Sequence, residues 1–173
     1  MPASIVSEAP PPVRVSIIFP CYNEAENIAG VIADAREHLK TIRAEYELII
    51  VDDGSTDATA DRARAATGDD SRIRVVEHST NLGYGHALRS GFRAARLPLV
   101  CYVDADGQFS LADLSRLIEA KGSHGFVLGY RIHRADPAHR TLNARLWQTF
   151  VRLVLGFNVR DLDCGFKLFR REL

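Results

Sequence analysis

Asp104 and Asp106 stand two residues apart just after an apolar run, Leu99–Val103, so on an extended chain both carboxylates lean to the same side. Held that way they repel each other unless a cation sits between them. Hard oxygen donors favour Mg²⁺ or Mn²⁺. An ion there would bridge a diphosphate and offset the charge that grows on it when a bond to it breaks. Gln108 adds a neutral oxygen two residues on, which makes Asp104, Asp106 and Gln108 the candidate metal set. A solvated Asp-rich turn would show the same spacing.

Two further polar runs carry comparable chemistry. In Asp52-Asp53-Gly54-Ser55-Thr56-Asp57, Gly54 permits a tight turn, Ser55 can cap a following helix, and a carboxylate can accept a hydrogen bond from a nucleobase N–H. Plain helix capping would explain some of these residues equally well. Asn81-Leu82-Gly83-Tyr84-Gly85-His86-Ala87 precedes a helix, and its glycines, Gly83 foremost, resemble a phosphate-cradling loop. It lacks the third glycine of a dinucleotide fingerprint and follows the third strand rather than the first, which argues against a dehydrogenase.

From Arg131 to Arg160 the charge balance shifts. Between Arg131 and Arg160, which also hold Arg134, Arg140, Arg145 and Arg152 between them, the one acid is Asp136. Between them, Leu142 to Leu155 is helical in period, with a wide apolar face marked by Trp147 and Phe150. Such a segment suits a membrane interface, where arginines attract anionic head groups. A core helix with arginines reaching out to water fits the pattern equally well.

These residues need elements to position them, and the chain supplies an alternation. Short β-rich apolar runs occur at Val15–Phe19, Leu48–Val51, Ile73–Val76, Leu99–Val103 and Phe126–Leu128. Between them lie an amphipathic segment from Glu24 to about Arg43, an Ala/Arg-rich helix from Thr56 to Ala66 and a helix from about Gly85 to Arg96. A further helix is capped by Ser110, with Asp113 in the capping-box position. Continuous apolar runs suit strands buried on both faces. Alternation with helices predicts an α/β, Rossmann-like, mostly parallel sheet sandwiched by helices. Ligands of such sheets bind beyond the carboxyl ends of the strands, where all three polar runs fall.

Bulk properties narrow the class. The 173 residues fit one domain, expected over 13–173, after a disordered tail at 1–12 that ends in Pro-rich sequence. Lys plus Arg equals Asp plus Glu at 22 each, so there is no global nucleic-acid signature. Cys21, Cys101 and Cys164 are far apart and odd in number, which supports neither a disulfide framework nor a thiolate zinc site and makes a reduced, cytoplasmic setting the default. The N-terminus lacks the pattern of a signal peptide, and no apolar run reaches the roughly 18 residues of a membrane span.

Taken together, Phe19-Pro20-Cys21-Tyr22-Asn23-Glu24, Val51 to Asp57, Asn81-Leu82-Gly83, Asp104 to Gln108, Gly129-Tyr130-Arg131 and Asp161 to Lys167 form an ordered set that resembles the motifs of family 2 glycosyltransferases. The branch most similar in pattern is that of dolichol-phosphate and bacterial polyprenyl-phosphate mannosyl- or glucosyltransferases. The likeness runs from Val13 to Leu173. It implies a GT-A fold and inverting transfer from a UDP- or GDP-linked sugar. It also implies nucleoside contacts from Pro20, Tyr22, Glu24 and Asp52, and metal and diphosphate contacts from Asp104, Asp106 and Gln108. Arg131 would contact phosphate, and Asp161 with the Cys164-Gly165-Phe166-Lys167 turn would line the sugar and acceptor side.

A phosphate monoester acceptor is largely ionised at neutral pH and needs little help from a general base. Stabilising the leaving group, through the metal and Arg131, should then matter most. With a hydroxyl acceptor, Asp161 is the candidate base and Asp163 the second. His86 lies where similar proteins vary and is given no role. The expected partners are a nucleotide sugar, a polyprenyl phosphate and the cytoplasmic face of a membrane, with no nucleic acid. Similar proteins continue past the Gly165-Phe166-Lys167 turn, so a C-terminally short catalytic domain is expected. Competing readings are a soluble or saccharide hydroxyl acceptor, an inactive nucleotide-binding remnant, and a phosphohydrolase with Asp104 as nucleophile. Against the last, Gln108 replaces the Thr or Val usual in that motif.

Overall fold

The computed structural model describes residues 11–130, 147, 149–154, 156, 161 and 164–173. Six strands and four helices follow one another as β1 (Arg14–Cys21), α1 (Ile28–Thr41), β2 (Glu45–Asp52), α2 (Thr59–Thr67), β3 (Ile73–Glu77), α3 (Tyr84–Ala94), β4 (Leu99–Val103), α4 (Asp113–Lys121), β5 (Phe126–Leu128) and β6 (Phe166–Arg170). The strands form one sheet in the order β3-β2-β1-β4-β6-β5. β1 runs parallel to β2 and β4, and β2 parallel to β3.

The apolar runs are strands because both faces of the sheet are covered. Every residue of β1 and β2 after the first is buried. On one face Ile17, Phe19, Leu48 and Ile50 pack with Ile28, Ile32, Ala35 and Leu39 of α1, Ala63 of α2, and Leu114 and Leu117 of α4. On the other, Ile18, Ile49, Val51, Val100 and Tyr102 pack with Ala87 of α3 and with Ala95. Burying each such aliphatic side chain contributes about 1.5–3 kcal/mol, and this two-sided core fixes the strand ends.

Chain order also locates the site. From β1 the chain builds outward through β2 and β3, then returns to place β4 on the other side of β1. The switch point therefore lies between Cys21 and Asp104, the residue that follows β4. Ligands of doubly wound sheets bind at such a point.

Several sequence expectations need correction. The first helix begins at Ile28 rather than Glu24, because the Glu24 carbonyl accepts the N–H groups of Asn27 and Ile28 in a preceding turn. The second begins at Thr59, since the Thr56 N–H is taken by the Asn23 side-chain oxygen at 2.9 Å. The third ends at Ala94, and the Arg96 N–H turns to a Glu47 carboxylate oxygen at 2.6 Å. Neither Ser55 nor Ser110 caps a helix, as the helices begin after Ala58 and Ala112 without a side-chain cap. Asp113, placed in a capping box by the sequence, pairs instead with Arg116 at 3.0 Å. Finally, Phe166 and Lys167, read as part of a turn, open a sixth strand. It pairs antiparallel to both β4 and β5.

Candidate active site

A cleft of about 380 Å³ opens at the switch point. Its wall is built from three strand ends and one helix start: Pro20, Cys21, Tyr22 and Glu24 after β1, Asp53 after β2, Asn81, Gly83 and Tyr84 entering α3, and Asp104, Ala105 and Asp106 after β4. Among the described residues its ionisable lining is acidic apart from Cys21 and the tyrosines, with no Lys or Arg. A bare diphosphate would be repelled here, since like charges a few ångströms apart at a protein surface cost several kcal/mol on the order of 332/(εr). Such a cleft takes a diphosphate only with cationic help.

The Asp52–Asp57 run is the frame of this site. Asp52 is buried and accepts the Ser55 hydroxyl, whose oxygen in turn accepts the Asn23 N–H at 2.9 Å. The Asp57 carboxylate accepts the Ala25 N–H at 3.2 Å. The loop after β1 is thus laced to the loop after β2. Asp53, also buried, reaches the other way, accepting the N–H of Leu82 at 3.0 Å and that of Gly83 at 2.7 Å. His78 Nδ1 lies 2.6 Å from Asp53, and its Nε2 lies 2.8 Å from the Ser90 hydroxyl on α3. Gly54 is required between them: its φ is +69°, and a Cβ would fall 2.3 Å from the Thr80 carbonyl carbon. Burial opposes the charge on Asp53, but the bonds from His78, Leu82 and Gly83 outweigh it and hold its carboxyl below the usual range.

The Asp104/Asp106 pair is held from behind. The Asp104 N–H donates to the Gly165 carbonyl at 3.2 Å, and a Cβ on Gly165 would overlap Asp104 Oδ2 at 1.8 Å. Only glycine lets β6 approach so closely. The Tyr84 hydroxyl donates to Asp104 Oδ1 at 2.7 Å. Partial burial and this bond to a carboxylate push the Tyr84 phenol well above its ordinary range, so it remains a donor. Asp106 Oδ1 accepts the Gln108 N–H at 3.0 Å. Cys21 is no nucleophile: burial, with Asp52 and Glu24 nearby, pushes its thiol far up.

The residues singled out from sequence are distributed as follows. Pro20, Tyr22, Glu24, Gly83, Asp104 and Asp106 line the one cleft. Asp52 sits buried behind its wall. Gln108 is not among the cleft's lining; it lines a second cavity of about 520 Å³ with Phe109, Leu117, Val127, Tyr130 and Cys164. Asp161 is buried, its carbonyl 3.4 Å from the Cys164 N–H. Arg131, Arg134, Arg140, Arg145, Arg160 and Asp163 lie outside the described residues, as does the tail at 1–10. The sequence reading missed His78 and Tyr84. Tyr84 stands between two glycines with nothing in the local pattern to mark it, and the partners of His78, Asp53 and Ser90, lie far off in sequence.

Among the described residues no group of three or more His, Cys, Asp or Glu side chains is arranged to hold a metal ion by itself. The donor set nonetheless fits Mg²⁺ or Mn²⁺. Hard cations of this size are commonly held by one or two carboxylates, with substrate phosphates and water completing the shell.

The family described as Glycosyl transferase family 2 matches residues 16–173. The chain belongs to that family. It is 32% identical to a dolichyl-phosphate beta-glucosyltransferase of Dictyostelium discoideum, covering 92% of this chain and 55% of that protein. It is 31% identical to an undecaprenyl-phosphate 4-deoxy-4-formamido-L-arabinose transferase of Yersinia enterocolitica, covering 97% and 52%. The chain thus spans about half the length of these relatives. Among solved structures it superposes on glucosyl-3-phosphoglycerate synthase of Mycobacterium tuberculosis, in complex with Mn²⁺, UDP-glucose and phosphoglyceric acid. That match has a TM-score of 0.68 and 25% identity, over 92% of this chain and 57% of that one. The architecture is the GT-A fold, and the phosphohydrolase reading falls with the family assignment.

Proposed function

We propose that this glycosyl transferase family 2 domain moves a sugar from a UDP- or GDP-linked donor to a polyprenyl phosphate, with inversion at the anomeric carbon. The observation that carries this reading is the convergence, at the β1/β4 switch point, of an acidic pair, a glycine loop at a helix start and the Tyr22 side chain in one cleft. The names of the two polyprenyl-phosphate relatives support the acceptor.

Each group has a task in this reading. Tyr22 and Glu24 border the nucleoside. Asp52, buried beside the cleft and bonded through one oxygen to Ser55, is the acceptor expected for a base N–H, because Asp53, which lines the cleft, already serves two backbone donors and His78. Asp104 and Asp106 would hold Mg²⁺ or Mn²⁺, which would offset charge on the diphosphate. Gln108 acts mainly through its N–H on Asp106. Gly83, at the start of α3, presents the helix N-terminus toward the phosphates. Arg131 adds positive charge at the diphosphate. An acceptor phosphate oxygen attacks the anomeric carbon, the bond from that carbon to the donor phosphate breaks, and the electron pair leaves on the nucleoside diphosphate. No proton need move, because the acceptor is already ionised.

A lipid acceptor also needs an approach from the membrane. No described helix is long and apolar enough to cross one. Helical residues 149–154, with Trp147 beside them, expose Trp147, Phe150, Leu153 and Val154 and bury Val151. The Trp147 and Phe150 rings stack with centroids 5.7 Å apart. This apolar face, with Arg152 in the same helical stretch and further arginines before and after it in the sequence, is suited to the cytoplasmic interface of a bilayer.

The test is nucleoside diphosphate release, measured with UDP- and GDP-sugars with and without undecaprenyl phosphate. Release that depends on the lipid phosphate is expected. Binding of nucleotide without any release would make the domain a nucleotide-binding remnant instead.

A further inference from the structure

Tyr84 stands in the donor cleft with no role in the reading above. Its ring is 50% exposed at the first position of α3, yet its hydroxyl is committed, donating to Asp104 Oδ1 at 2.7 Å. On the other side of the same carboxylate, the Gly165 backbone presses against Oδ2 so closely that even a methyl group is excluded. The Asp104 N–H is tied to the same glycine. Asp104 is therefore clamped between α3 and β6, with its side-chain torsion set.

The other end of the clamp is equally fixed. Tyr84 follows Gly83, whose N–H is held by Asp53 Oδ2, and Asp53 is held in turn by His78. A chain of contacts thus runs from the end of β2, through the start of α3, to the carboxylate at the end of β4. Carboxylates that ligate metals are commonly oriented by such outer hydrogen bonds, and removing one typically lowers metal affinity about 10–100-fold.

We propose that Tyr84 is a positioning residue for the cation site: its hydroxyl orients Asp104 for Mg²⁺ or Mn²⁺ before the nucleotide arrives. The inference rests on the reading of Asp104 as a cation ligand. Because Tyr84 acts through Asp104, its loss should change how much metal is needed and leave metal-free nucleotide contacts alone. Replacing this half-exposed tyrosine by phenylalanine removes one oxygen and no packing volume, so the fold is not at stake.

The experiment compares wild type, Tyr84→Phe and Asp104→Asn by thermal shift with saturating UDP, and in parallel GDP, against a Mn²⁺ titration. The readout is the Mn²⁺ concentration giving half of the nucleotide-dependent shift, with nucleotide affinity in EDTA measured alongside. The proposal expects Tyr84→Phe to need about 10–100-fold more Mn²⁺, with unchanged affinity in EDTA. If Asp104→Asn loses the Mn²⁺ response and Tyr84→Phe keeps it at wild-type concentrations, or tightens it, the role of Tyr84 is overturned and the cation site stands. If Asp104→Asn responds like wild type, Asp104 is no ligand and both readings fall.

Discussion

Asp53 Oδ2 accepts the backbone N–H of Gly83 at 2.7 Å, joining the end of β2 to the start of α3 across 30 residues of chain. The first aspartate of the Asp52-Asp53 pair faces Ser55 and the second faces this loop, so two adjacent carboxylates have opposite duties. Asp53→Asn should therefore loosen residues 79–84 and destabilise the domain. A hydrogen bond to a charged acceptor contributes about 1.5–3 kcal/mol, so losses of that size are expected in urea unfolding, with weaker nucleotide binding as a secondary effect.

The same carboxylate predicts a pH dependence. Its folded pKa is depressed, so its contribution to stability is complete above the ordinary Asp value near ~3.9 and is lost as pH falls through the lower folded value. The stability difference between wild type and Asp53→Asn should hold steady from pH 7 to about 5 and shrink below about 4. A difference that grows on acidification would contradict the assignment.

Asp52→Ala should weaken binding of the free nucleotide about ten- to a hundred-fold, because a base N–H loses its charged acceptor. Isothermal titration with UDP and GDP measures it. An unchanged affinity would move base recognition away from Asp52.

Much of this was legible in the sequence, for a physical reason. Ile17 to Phe19 and Leu48 to Val51 are apolar on both faces, and only a doubly covered strand makes use of that. The polar residues after them then fall at strand ends without further information. What was not legible depended on distant partners. Phe166 to Arg170 alternates weakly and looks like a continuation of a turn until β4 and β5 are in place to pair with it. The division of labour between Asp52 and Asp53 depends on His78 and Gly83, some 25 to 30 residues away.

Glu47 is a further example, lying in β2 far from the cleft. It accepts the Ser16 hydroxyl and the Arg96 N–H, each at 2.6 Å, and an Arg74 guanidinium N–H at 2.7 Å. Arg74 is part-exposed, so the loss on removing Glu47 is set by its hydrogen bonds, at about 1.5–3 kcal/mol. Glu47→Ala should show that loss in chemical denaturation, while nucleotide affinity of the folded protein stays as in wild type.

Trp147 is the sole tryptophan and is 47% exposed. Its emission should shift to the blue on binding anionic vesicles, and the shift should weaken as salt shortens the Debye length below about 10 Å. Emission unchanged by phosphatidylglycerol vesicles would remove the membrane-facing role of this helix.

The central claim is the destination of the sugar. With a radiolabelled UDP- or GDP-sugar, Mn²⁺ and undecaprenyl phosphate, label should pass into the organic phase one for one with nucleoside diphosphate released, and Asp106→Asn should stop it. Nucleoside diphosphate released with all label left as free sugar in water, or label moved only to a soluble hydroxyl acceptor, would contradict the account.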